Sequence, residues 1–596
     1  MRRLEKSCLY ILLGALTVAL FGCGGSGSSD ATVRNTQFGP VQGIAQINGT
    51  VSDQSSAAGA RVLSADDGYA WLGVPFAKQP VGDLRWKPPV DPASWIDVKN
   101  TQKLSEACAQ VGSMYGPGNP FETASNRFWK PVGSEDCLYL NIYSPLNSQA
   151  GSKLPVLIFV HGGSNRVGAT SIYEGSILAK NTNMVVVILP YRLNLLGWLT
   201  HPALRTGEPL NDSGNYALLD LIQGLKFVKN NIANFGGDPD SVTIMGQSAG
   251  ALNVNHLVLS PVAKGLFHKA IPMSGDMTDS TTAVGEFASG ILIQTLLIKD
   301  SLATDAASAA AFLATKDNTW IANYLRGKST ADIINTMIIP TGGKYGNGAY
   351  SALGSIAANF KDGYVLPAST AAITTAISSG NFNKVPMMVG NCAEEGKLFS
   401  SGAYKISDVD RFNMMMAFNP NAPGSLSITD ILDPAVINPP TADNYNKYSY
   451  AYPSTYSAPN ALPTQLYAFL MNVFTQSFQP QVGSQIYSYS FNWANQPEPW
   501  KTIYGASHGG DLPFVFGDFD RKQLFSEFYS TANQPGRLAL SRAMQQSIAA
   551  FARTGNPNNS SLGVTWAPAT TGTDGNVRKI IFDATQTNAN ISMSNN

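Results

Sequence analysis

Apolar residues gather in short unbroken runs separated by stretches with helical spacing. Leu154-Pro155-Val156-Leu157-Ile158-Phe159-Val160 is one such run, and Met184-Val185-Val186-Val187-Ile188-Leu189 is another. Runs without polar alternation are what strands covered on both faces require. Between them, Leu218, Leu221, Ile222, Leu225, Phe227, Val228 and Ile232 recur at the spacing of one helix face. Further strands are predicted at Ser241–Met245, Ala270–Met273, Val385–Val389 and Ile486–Phe491. This alternation implies a mainly parallel sheet with helices on both faces. Residues 40 to 90 show short strands and turns instead, an expected antiparallel edge. Helical patterns at Ala306 to Leu313 and Leu466 to Phe478 lie within the less regular stretches 280–380 and 400–480. Those stretches are read as insertions over one end of the sheet, walling a gorge.

The amino terminus breaks the pattern. Arg2, Arg3 and Lys6 precede an apolar run from Leu9 to Phe21. That run has about a dozen residues, where a bilayer span needs about twenty. It ends at Cys23, followed by Gly24-Gly25-Ser26-Gly27-Ser28-Ser29. The arrangement is similar to a bacterial lipoprotein signal, with residues 1–22 removed, Cys23 lipidated and residues 23–37 a flexible leash. Phe21 is not the residue usually found two places before such a cysteine. An exported protein is expected, anchored through Cys23 in the periplasm, outer membrane or cell surface, or otherwise secreted. Of five cysteines, Cys8 leaves with the signal, and Cys108 and Cys137 are a candidate disulfide in an oxidising compartment. Cys392 is left over, as a small buried hydrophobe.

Composition narrows the function classes. Lys plus Arg and Asp plus Glu are 40 each among 596 residues, so there is no basic surplus for nucleic acid. Hydrophobic residues make up 44% and charged residues 13%, which favours a large buried core over disorder.

The sharpest chemical motif is Gly246-Gln247-Ser248-Ala249-Gly250, between a predicted strand and a predicted helix. That is the context of a nucleophile elbow, whose tight turn excludes side chains at the flanking glycines. A serine hydroxyl needs a base. The five histidines are His161, His201, His256, His268 and His508. In hydrolases with this elbow the base follows the serine. His256 falls within the following helix and His268 at the entry to a strand. His508, in the Gly-rich loop Gly505–Asp511, is therefore the expected base. The acid should lie between them on a loop past a strand, where Glu394-Glu395-Gly396 stands. One of the two carboxylates is expected to be solvated and the other committed. His161-Gly162-Gly163-Ser164 follows the Leu154–Val160 strand, and its backbone N–H groups, with that of Ala249, would form an oxyanion hole. No metal or cofactor is called for.

Taken together these residues resemble the type-B carboxylesterase and cholinesterase family, over about residues 38–585. Trp71–Ala77 and Pro80–Pro89 are similar to its first signature, Ser134–Asn141 to its second, and Asn234–Pro239 leading into Ser248 to its serine signature. The resemblance implies a single α/β-hydrolase domain over 38–585, with residues 586–596 a tail. It implies Ser248 as nucleophile, Glu395 as acid and His508 as base, with Gly163, Ser164 and Ala249 as oxyanion donors. It further implies a Cys108–Cys137 disulfide, an Arg85–Glu135 ion pair, and a Ser274 beside the acid. The function implied is cleavage of small-molecule carboxylic esters through an acyl-enzyme. The alternatives are a non-catalytic cholinesterase-like binding protein, or an amidase, thioesterase or lactonase with the same triad. Two departures stand out. Ser164 replaces a usual third glycine, and Gln247 replaces a frequent Glu, which argues against a cationic choline ester. Trp129 is read as a gorge-wall aromatic.

Overall fold

The computed structural model describes residues 31–594 except 47–50, 54–60, 64–67, 114, 118–126, 341–347, 356, 401–420, 422–451, 499, 520–527 and 573–574. The segment expected to be a signal, and Cys23, lie outside the described residues. Numbering only the strands of the central sheet in chain order, they are β1 (Ile44–Gln46), β2 (Gly68–Pro75), β3 (Tyr139–Pro145), β4 (Leu154–Val160), β5 (Val185–Leu189) and β6 (Gly237–Gln247). They continue as β7 (Lys269–Met273), β8 (Met387–Cys392), β9 (Ile486–Phe491), β10 (Ile580–Ala584) and β11 (Ala589–Met593). This eleven-stranded sheet has the order β11-β10-β9-β8-β7-β6-β4-β5-β3-β2-β1. The strands from β5 across to β10 run parallel, and antiparallel pairs close both edges.

The unbroken apolar runs are explained by burial on both faces. Along β4, Val156, Ile158 and Val160 enter one core cluster, which also holds Leu218, Leu221 and Leu225 of helix α1 (Tyr216–Asn231). Leu157 and Phe159 enter a second cluster on the opposite face. That cluster includes Leu540, Ile548 and Phe551 of a later helix, Gln534–Thr554. Both covers are needed because a strand residue of either parity would otherwise meet water.

The predicted antiparallel edge is present in β1 and β2, and the helical insertion Ala306–Leu313 is found with those bounds. The Leu466–Phe478 pattern is part of the longer helix Tyr452–Val482. Strands β3 and β10 were not anticipated, and β11 occupies the segment expected as a tail. Among the described residues one helix, Thr282–Lys299, is long and apolar enough to cross a membrane by length and composition. Its Leu292, Ile293, Leu296 and Leu297 are buried in a third cluster, under the insertion helices.

Two ties hold the segment before β3. Cys108 and Cys137 are disulfide-bonded across 29 residues. Arg85 and Glu135 form a buried bidentate pair at 2.8 and 2.5 Å. Another Arg85 nitrogen donates to the Lys328 carbonyl at 2.7 Å, and Thr330 donates to Glu135 at 2.6 Å. The guanidinium thus joins the amino-terminal segment to the insertion. A closed loop of this size stabilises by about 3–4 kcal/mol in the chain-entropy account. Replacing both cysteines by serine should lower unfolding free energy by about that amount. Urea titration of oxidised wild type against the double variant would measure it, and coincident midpoints would contradict the loop-closure account.

Candidate active site

The elbow is built by close backbone packing at the carboxyl ends of β4 and β6, which pair in parallel with Val160 opposite Gly246. Ser248 follows β6 directly and opens helix α2 (Ala249–Leu259) with φ 59° and ψ −127°. A non-glycine residue in that region costs about 1–3 kcal/mol and persists only where its surroundings impose it. The imposing groups are nearby. A Cβ at Gly246 would lie 2.3 Å from the Gly250 carbonyl oxygen, and one at Gly250 would lie 2.1 Å from that of Val160. The Ser248 N–H is held by the Met273 carbonyl of β7 at 2.9 Å.

Glu395 and His508 meet beside this elbow. Glu395 is fully buried, just beyond β8. Its Oε2 is hydrogen-bonded to Nδ1 of His508. Its Oε1 accepts from the Ser274 hydroxyl at 2.5 Å and the Cys392 N–H at 2.7 Å. Both carboxylate oxygens are therefore satisfied by donors, as a buried charge requires. With Nδ1 turned to Glu395, Nε2 is the ring nitrogen that faces away from the acid. The Gln247 side-chain amide nitrogen stands 3.1 Å from that atom. Because Gln247 adjoins Ser248, the imidazole lies over the elbow. Tyr467 flanks it, with ring centroids 5.5 Å apart.

Glu394 is the more solvated of the two acids, yet it is also structural. Its Oε2 accepts from the Ala506 N–H at 2.9 Å, and its backbone N–H donates to the Ala506 carbonyl at 2.9 Å. Lys397 pairs with Oε1 at 2.6 Å. The adjacent carboxylates thus divide the work, one holding the imidazole and the other holding the loop that carries it.

The remaining histidines are committed elsewhere. His161 is buried, stacks on Tyr191 with centroids 4.6 Å apart, and contacts the Gly162 carbonyl through Nδ1 at 2.9 Å. Burial pushes its pKa down to about 4, so the ring is neutral. His201 caps a short turn, and His268 accepts from the Val242 N–H at 3.1 Å. His256 is fully buried within α2, and burial lowers it to about 3.

The loop after β4 passes close to the elbow. A Cβ on Gly162 would sit 2.9 Å from that of Ser248. Gly163 and Ser164 have φ of 107° and 56°, and Ser164 is exposed. The Gly163 carbonyl accepts from Arg166 and Val167, closing the turn. Ala249 is the first residue of α2, so its N–H has no acceptor within the helix.

Three comparisons bear on this geometry. A family model described as "Carboxylesterase family" matches residues 33–595. The chain belongs to the carboxylesterase family. Carboxylesterase 1C of Rattus norvegicus is 34% identical over 83% of this chain and 82% of its own. Cocaine esterase of Homo sapiens is 31% identical over 94% and 90%. Among solved structures, a Geobacillus stearothermophilus carboxylesterase at pH 6.2 superposes with TM-score 0.64 at 23% identity, covering 95% of this chain and 98% of that one. A thermophilic PNB esterase gives 0.63 at 24% identity, covering 94% and 98%. The fold is that of the α/β hydrolases, and the protein is a carboxylic ester hydrolase.

One buried group of this carboxylesterase carried no sequence signal. Asp511, three residues after His508, is fully buried, and its Oδ1 has no hydrogen-bond partner among the described residues. Its Oδ2 accepts from the Tyr489 hydroxyl at 3.2 Å. Burial pushes its pKa up to about 7, the Glu395 charge adds to that, and His508 opposes it. An unfolded aspartate ionises near pH 4. Between about pH 4 and 7 the folded chain thus keeps a proton that the unfolded chain has lost, and stability falls as pH rises. Each pKa unit is worth about 1.4 kcal/mol. Asp511→Asn should remove this slope, gaining on wild type by a few kcal/mol from pH 4 to 8. Denaturant midpoints across that range test it, and parallel curves would refute it.

Proposed function

We propose that Ser248, His508 and Glu395 form the catalytic triad and hydrolyse esters through an acyl-enzyme. The observation that carries this is the buried Glu395–His508 hydrogen bond, with the other imidazole nitrogen turned to the elbow that presents Ser248. His508 Nε2 takes the Ser248 proton as Oγ attacks the ester carbonyl. The tetrahedral oxyanion accepts hydrogen bonds from the N–H groups of Gly163, Ser164 and Ala249. The imidazolium then returns its proton to the leaving alkoxide, and the alcohol departs. Water repeats the sequence on the acyl-serine, giving the carboxylic acid and free Ser248. Glu395 holds the ring in the Nδ1–H tautomer and stabilises the imidazolium. The Gln247 amide occupies the Nε2 lone pair in the resting site and has to yield it when Ser248 reacts.

The residue before the nucleophile is a neutral amide, which supports an uncharged ester as substrate. Export with a lipid on Cys23 remains part of the reading. It rests on the sequence of residues 1–29, and Cys23→Ala should release the protein from membranes.

A nitrophenyl ester series of rising acyl length, run on wild type, Ser248→Ala and His508→Ala, tests the chemistry. Hydrolysis should fall by about 10⁴-fold or more in either variant. A fluorophosphonate should label wild type and spare Ser248→Ala, and equal labelling of both would refute the assignment.

A further inference from the structure

The loop after β4 runs through three successive residues with positive φ. They are Gly163 at 107°, Ser164 at 56° and Asn165 at 59°. Two of the three carry side chains, so local preference opposes the path and tertiary contacts must hold it. Asn165 supplies those contacts. It is buried, and its carbonyl accepts from the Asn194 N–H at 2.8 Å. Its Oδ1 accepts from the side-chain amide of Asn253 at 2.9 Å, and its Nδ2 donates to the Ala357 carbonyl at 3.3 Å.

Asn253 lies one and a half turns into α2, five residues after Ser248, and is also fully buried. Its own Oδ1 accepts from Asn359 Nδ2 at 2.9 Å, and Asn359 Oδ1 accepts from the Trp198 indole N–H at 2.9 Å. Asn359 Nδ2 also lies 2.8 Å from Nδ1 of the neutral His256. A buried line of carboxamides therefore runs from the oxyanion loop, through the helix that Ser248 opens, to the far wall. Such a network is costly when any member is unpaired, so it defines one arrangement of the segments it joins.

The two segments it joins matter because they meet at the site. Parallel pairing of β4 with β6 ends at Val160 and Gly246, before either the loop donors or Ser248. Beyond that point the Asn165–Asn253 bond is a direct side-chain bridge between the loop carrying Gly163 and Ser164 and the helix carrying Ala249. An oxyanion hole works only when its donors stand within hydrogen-bond distance of where the charge develops.

We propose that Asn165 and Asn253 are positioning residues that set the oxyanion donors at their working distance from Ser248, a role resting on the triad reading above. They touch no substrate and act through the loop and the helix. Backbone packing sets the approach at the elbow itself, and the amide pair holds the loop to the helix beyond the end of strand pairing.

Asn165→Gly is the sharpest variant, because glycine keeps the positive φ while deleting the bridge to Asn253 together with the longer bond to the Ala357 carbonyl. Asn253→Ser is the second, shortening the donor beyond reach while leaving a small polar group. Each should lower kcat on a nitrophenyl ester by about 10–100-fold with KM within about threefold of wild type. Affinity for a trifluoromethyl ketone, whose serine adduct carries the oxyanion, should weaken by the same factor as kcat. The double variant should lose clearly less than the sum of the two single losses, since both variants break the Asn165–Asn253 bond. Unchanged kcat in a folded Asn165→Gly or Asn253→Ser protein would overturn the proposal. So would a loss confined to KM, unaltered ketone affinity, or additive losses. Ester hydrolysis surviving in Ser248→Ala would instead overturn the triad reading, and this inference with it.

Discussion

The site depends on the close approach of three backbones at the carboxyl ends of β4 and β6. Gly250 sits against the Val160 carbonyl with no room for a methyl group, and Gly246 sits against Gly250. That contact forces Ser248 into a conformation it would not adopt alone. It also starts α2 at the elbow, so the helix's unpaired N–H groups face the same mouth as the loop after β4. The parallel sheet supplies the rigidity. Its strands are buried on both faces, and displacement of one end would disturb two core clusters at once.

Charge is handled by concentration rather than exclusion. Glu395 is buried yet fully hydrogen-bonded, through Ser274, Cys392 and His508. Asp511 shares the same dry region with only the Tyr489 hydroxyl donating to it among the described residues, and burial, with the Glu395 carboxylate nearby, raises its pKa to about 7. Two carboxyl groups in one apolar setting cannot both ionise cheaply. The donors gather on Glu395, which holds the His508 ring.

Much of this was legible along the chain. The two-face strands announced themselves as unbroken runs, and the strands Leu154–Val160 and Ile486–Phe491 have the bounds those runs predict. The elbow glycines were readable because their steric reason is local. His508 emerged by elimination among five histidines, and the other four are structural. Strand β11 was missed because Ala589–Met593 is a short edge strand in which apolar Ala589, Ile591 and Met593 alternate with polar residues, without the unbroken run that marks the inner strands. Asn165 and Asn253 gave no signal, because an asparagine reads as a turn or surface residue until its partner is known.

The sequence by itself determined the parallel sheet and the elbow, because each follows from spacing within a few neighbouring positions. The family resemblance pointed to Glu395 over Glu394, whereas only the tertiary structure decided that Glu394 fastens the loop carrying the imidazole, that Asp511 is buried beside it, and that a line of amides ties the loop after β4 to α2. Those outcomes turn on contacts between residues more than a hundred positions apart in several cases, and on a dielectric that exists only once the core has closed.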